Sequence, residues 1–200
     1  MSLDDVKSLY VLSCFLLCLI IASPTFLMFS PSSGGAHFSE LWLLTDDHLI
    51  EGYPFNITVN VPNQVYLGVK NHLGSLAYYL IYVKLGNQSE SLPNATGGTP
   101  SSVAPLFEYK FFLGESEELE RLMTFSVLEI STTENYCNVE TIEINDRVFA
   151  VGKSSTWDVA SNGFFYHLFF ELWLYNMTSQ QFEYHDRFVG IWLNMTNSEG

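Results

Sequence analysis

The chain has 200 residues, eight Lys+Arg against twenty-two Asp+Glu, and a formal charge of −14, so it lacks the cationic surface that nucleic-acid binding demands. Hydrophobic residues make up 48% and charged residues 15%, which excludes disorder and points to a chain that buries much of itself or leaves part in lipid. Three cysteines are too few for a disulfide-stapled miniprotein.

Ser8 to Ser30 contains no charged residue. Roughly twenty apolar residues at a rise of 1.5 Å match a ~30 Å hydrocarbon slab, and the run outlasts a signal-peptide core of ~7–15 residues. The segment therefore predicts a single transmembrane helix, with Pro24 tolerated as a kink. Cleavage near Gly34-Gly35-Ala36 is the alternative. Lys7 and the α-amino group precede the segment and the next basic residue is Lys70, so the N-terminus is expected in the cytoplasm and the bulk outside. Cys14 and Cys18 read as small fillers of this helix, and Cys137 as a buried, inert thiol.

Residues 31–39 form a Pro/Ser/Gly tether, 40–196 an outer domain and 197–200 a tail. The outer domain reads as strands: Glu40–Leu44, Phe55–Val61, Val65–Asn71, Leu76–Leu85, Phe107–Leu113, Met123–Ile130, Glu140–Val151, Phe164–Tyr175 and Phe188–Met195. Turn chemistry separates them, as at Glu51-Gly52-Tyr53-Pro54, Asn145-Asp146 and Asn162-Gly163. Glu115–Leu122 predicts a helical turn capped by Ser116. Gly86 to Pro105 is polar and of low complexity, which predicts an exposed loop with no packing role. Many short strands without βαβ alternation predict an all-β fold, an antiparallel β-sandwich preceded by the single N-terminal helix.

Two strands are apolar on both faces. Leu76–Leu85 sets Tyr78, Leu80 and Tyr82 against Tyr79, Ile81 and Val83; Phe164–Tyr175 sets Tyr166, Leu168 and Phe170 against Phe165, Phe169 and Trp173. A two-layer sandwich wets the outer face of each sheet, so these strands need a second cover. Tyr79, Ile81, Val83, Phe165, Phe169 and Trp173 are the candidate interaction surface, for a protein partner or a second copy of the chain. The competing explanation is that the domain's own loops, such as the long segment from Ser131 to Asn162, fold over them.

Five Asn-x-Ser/Thr sequons follow the anchor, at Asn56, Asn87, Asn94, Asn176 and Asn194, against roughly two by chance. All lie on the expected outer side, so N-linked glycans are expected. No nucleophile elbow, zinc-binding helix, phosphate loop or Cys-x-x-Cys occurs, so no catalytic residue, cofactor or metal is assigned. Asp46-Asp47-His48 reads as an acidic turn, and Glu115, Glu117, Glu118 and Glu120 as a solvated face without calcium-loop spacing. His37, His72, His167 and His185 are scattered and read as structural. Exposed aromatics stacking on a sugar or other ligand form the alternative to protein binding.

Several segments resemble one family. Trp42 to Leu44, Glu51-Gly52-Tyr53-Pro54, the sequon at Asn56, Val65 through His72 with its Gly-x-x-Asn-His ending, and Tyr79 through Val83 are similar to the archaeal domain of unknown function 1616. Gly114-Glu115 through Phe125, Phe169 through Tyr175, and Arg187 through Leu193 resemble its later segments. The resemblance implies a membrane-attached protein with an Ig-like outer domain and carries no catalytic residue. Leu73 stands where an acidic residue is expected, and Ser131–Asn162 reads as an insertion.

Overall fold

The computed structural model describes residues 7, 12–15 and 37–195. The chain divides into two compact units, residues 1–37 and 38–200. In the first, residues 12–15 are helical; the rest of the expected anchor, the tether through residue 36 and the tail lie outside the described residues. Among the described residues no helix is long and apolar enough to cross a membrane.

The second unit is all-β. Its strands are β1 (Phe38–Leu44), β2 (Asn56–Ile57), β3 (Asn63–His72), β4 (Ala77–Asn87), β5 (Phe107–Leu113), β6 (Glu118–Thr132), β7 (Tyr136–Ile144), β8 (Arg147–Asp158), β9 (Gly163–Asn176) and β10 (Gln181–Met195). They form one curled sheet with two arms. One arm runs β1-β3-β6-β7-β8 and the other β5-β4-β9-β10-β2. The arms join where Trp157 and Asp158, the last residues of β8, pair with Phe164 and Gly163 of β9. Every pairing is antiparallel except β2 beside β10.

The period-2 alternation of the strands aims one face of each arm at a shared core. Val65, Leu67 and Val69 of β3, Met123, Phe125 and Val127 of β6, and Ile142 and Ile144 of β7 meet Tyr79, Ile81, Val83 and Leu85 of β4 and Tyr166, Leu168 and Phe170 of β9. Each fully buried phenylalanine here, Phe125 and Phe170 among them, contributes about 2–3 kcal/mol of transfer free energy. Tyr79, Ile81 and Val83 are thus core residues and form no surface. Both faces of β4 are apolar, so alternation fixed which residues go together but not which set points inward.

Four further expectations are corrected. The strand expected over Phe55–Val61 shrinks to Asn56–Ile57, because Asn60 adopts φ 64° and its N–H bonds Val127 O at 2.8 Å, drawing the chain across to the other arm. Glu140–Val151 is two strands: Asn145 (φ 47°) and Asp146 (φ 61°) make the left-handed pair that a tight hairpin requires. Ser131–Asn162 is accordingly no covering loop; β7 and β8 extend one arm. Glu115–Leu122 forms no helical turn. Asn71 binds Ser116 N and Glu117 O through its backbone, and the chain turns at Ser116 (φ 62°) straight into β6. At the edge of the first arm, the Trp42 ring lies over Gly68, its partner in β3, in space that a side chain there would fill.

Candidate functional site

The outer face of the second arm carries the chemistry that the core does not explain. Register lines up four strands there: Phe112 of β5 opposite Tyr78 of β4, Tyr175 of β9 opposite Phe182 of β10, and further along Leu80 opposite Trp173 and Tyr82 opposite Glu171. This face divides into a covered centre and two open ends.

In the centre, Lys84 Nζ lies 2.7 Å from Glu171 Oε2, both side chains almost wholly buried. The loop after β4 closes over them. Ser101 N donates to Glu171 Oε1 at 2.7 Å, Lys84 Nζ donates to Ser101 O at 2.9 Å, and Trp173 Nε1 donates to Glu171 Oε2 at 3.1 Å. Val103 and the Phe169 ring converge over Gly86. Ser101, Val103, Leu80 and Phe169 are all buried, so the loop packs, contrary to its polar composition, and Phe169 is no surface residue. The Tyr184 hydroxyl is buried without a hydrogen-bond partner; burial and the Glu171 charge push it up to about 12.

One end stays open. Tyr78 stacks on Phe112 with centroids 4.2 Å apart, and Phe182 and Tyr175 lie 5.0 and 5.8 Å from Tyr78. Leu76, Phe112 and Met177 are 69, 61 and 81% exposed. With Leu73, Leu174 and Tyr175 they line a depression of about 490 Å³. Among the described strands β5 pairs with β4 alone, leaving the backbone groups of its other edge unpaired beside Phe112. Sequence reasoning missed this platform because it weighed the opposite face of β4; the alternation holding Tyr78 and the exposed Phe112 was its available signal. Trp173, half-buried, packs edge-on against Tyr82 at 5.5 Å between platform and centre.

The other end holds a cleft of about 400 Å³ lined by Phe55, Gln88, Asp158, Ser161, Phe165 and Trp192. Phe165, half-buried, is 6.1 Å from Phe55, and the Trp192 ring lies 4.6 Å from His167. His167 is buried between Trp192 and Phe169, its Nδ1 without a partner, and burial lowers its pKa to about 4.

Inside the domain, Ser39, Tyr79, His185 and Asn71 form a polar clasp between the arms. Ser39 Oγ is 2.7 Å from Tyr79 OH and 3.0 Å from His185 Nε2, while Tyr79 OH donates to Asn71 Oδ1 at 3.1 Å. Asn71 Nδ2 donates to the carbonyls of Ser75, Leu113 and Gly114. Burial pushes the Tyr79 phenol up and His185 down. Ser39 is itself buried, and the cluster satisfies these interior polar groups between the arms. Cys137 is buried and its thiol is pushed up by burial.

The remaining polar candidates are locally engaged. His48 meets Glu120 at 3.1 Å, His72 meets Glu40 and Lys70 meets Glu118. Glu115 and Glu117 accept the N–H groups of Gly74 and Gly114. Among the described residues no group of three His, Cys, Asp or Glu is placed to hold a metal ion. Of the sequon asparagines, Asn56 and Asn94 are exposed; Asn87 and Asn176 are half-buried, with Nδ2 donating to Ser154 O and Glu183. Asn194 is buried against Gly163 with Nδ2 donating to Asn56, which leaves no room for a glycan.

No protein-family model matches the chain, and no curated protein does. Among solved structures, a β-glucosidase from Listeria innocua in complex with gluconolactone is 13% identical over 83% of this chain, with a TM-score of 0.36; the chain spans 18% of that protein's length. The ASH/PapD-like domain 7 of human CEP192 is 9% identical over 85% of this chain and 94% of its own, with a TM-score of 0.31. Likenesses at this level assign neither a family nor an activity.

Proposed function

We propose that the chain is a membrane-anchored, non-catalytic interaction module. Residues 8–30 hold it in the bilayer with the N-terminus in the cytoplasm, and the outer domain, an Ig-like β-sandwich of the kind the family resemblance implies, docks a protein partner. That partner is a second copy of the chain or a subunit of a membrane or envelope complex. Glycans at Asn56 and Asn94, the exposed sequons, mark the outer side.

The observation that carries this reading is the open platform of Leu76, Tyr78, Phe112, Tyr175, Met177 and Phe182. A contiguous apolar patch is unfavourable in water and is retained where a partner covers it. The unpaired edge of β5 beside it favours a protein, which supplies a strand as well as side chains. The full-length chain extracted in mild detergent is expected to run as an assembly by native mass measurement, and Leu76→Ser with Phe112→Ser to release it. A clean monomer without a co-purifying partner, or an assembly unchanged by the double substitution, counts against the reading.

A further inference from the structure

The cleft at the opposite end of the same face has a different chemistry. Where the platform is mainly apolar, this cleft sets three aromatic side chains beside polar ones. Trp192 and Phe55 are 42 and 47% exposed, and Phe165 stands beside Phe55. Trp192 is backed by His167, which fixes the indole from behind. On the rim, Asp158 Oδ1 accepts from Ala160 N at 2.8 Å and Ser161 N at 3.2 Å. These bonds use two of about four acceptor positions of a carboxylate and orient the rest. Gln88 Nε2 is tied to Thr156 O and Oγ1 at 3.1 and 2.7 Å, which fixes that amide and commits its N–H side to the protein.

We propose that this cleft binds a neutral pyranose saccharide, the sugar's C–H face lying on Trp192 and Phe55 and its hydroxyls donating to Asp158. The negative π-face of an aromatic ring attracts the polarised C–H bonds of a pyranose, while the equatorial hydroxyls need acceptors at the ring's edge. The cleft supplies both within about 400 Å³, a size suited to a small molecule. Asp158 and the chain's charge of −14 repel uronic and sialic acids, which selects an uncharged sugar. This site is separate from the platform and stands whether or not the platform docks a protein.

The test titrates the full-length chain, in a detergent that is not a glycoside, with methyl glycosides of glucose, galactose, mannose and N-acetylglucosamine and with their β-linked disaccharides. Calorimetry and tryptophan fluorescence are expected to report saturable binding of at least one neutral sugar. Affinity is expected to fall at least tenfold in Trp192→Ala and in the isosteric Asp158→Asn, and to be unchanged in Phe112→Ser. Asp158→Asn keeps an acceptor for Ala160 and Ser161, so it remains informative if Trp192→Ala fails to fold. No saturable binding across the panel, binding unaffected by Asp158→Asn, or a preference for glucuronate over glucoside overturns the proposal.

Discussion

The covered centre and the open platform lie on the same face of the same two strands, and they differ in what the loop after β4 does. Over Leu80, Lys84, Phe169 and Glu171 it supplies Ser101 and Val103; over Tyr78, Phe112, Tyr175 and Phe182 it supplies nothing. An apolar residue on an outer face is therefore no evidence of a partner until the chain's own loops have been placed. What the loop gives the buried ion pair does not depend on its polar composition. Its backbone, more than its side chains, completes the hydrogen bonding of Glu171 and Lys84.

The contrast breaks first at Glu171. Glu171→Ala leaves Lys84 buried and unpaired and is expected to cost about 3–5 kcal/mol in urea denaturation. Replacing both residues by apolar ones of similar volume should recover most of that loss, and a failure to recover it would mean that the loop depends on the pair to satisfy Ser101 N and O.

Acid sharpens the contrast next. His167 has a folded pKa of about 4 against an ordinary 6.5, so the unfolded chain binds the proton first as pH falls. Its contribution is complete above pH 6.5 and is lost between there and 4, by roughly 3 kcal/mol in all. His185, lowered by burial and then by Arg187, adds in the same direction. Stability measured across this window should slope less steeply in His167→Phe than in the wild type; an identical slope would remove His167 as its cause.

The smallest expected effect is the most telling. Phe169→Ala, in the covered centre, is expected to cost about 3–5 kcal/mol. Phe112→Ala on the platform should cost under about 1 kcal/mol, since it gives up only a cross-strand stack on Tyr78. Equal losses by thermal melting would mean that the two regions are packed alike.

Much of the strand order was legible because alternation and turn residues are local. Phe107–Leu113 matches β5 end to end, and Val65–Asn71 and Phe164–Tyr175 fall inside β3 and β9. One failure was local, and the others were non-local. The turn at Asn145-Asp146 was visible as composition, yet its left-handed pair of residues is what divides β7 from β8. The inward face of β4 is decided by which side Phe170 and Met123 occupy, and they lie far along the chain. Asn194 looks like a surface sequon until β2 is laid beside β10. The candidate surface failed for the same reason: Tyr79, Ile81 and Val83 are as apolar as Tyr78 and Leu80, and only the placement of the other arm separates them.

The parallel contact of β2 with β10 also sets an order in time. Asn56 meets Asn194 across 138 positions, so β2 waits for β10 before it has a strand neighbour. Loop closure over that distance rewards nothing until the intervening strands have assembled, which makes this seam a late event of folding. A nascent chain from which β10 has not yet emerged would leave Ile57 without its place in the interior, however complete the remaining strands had become.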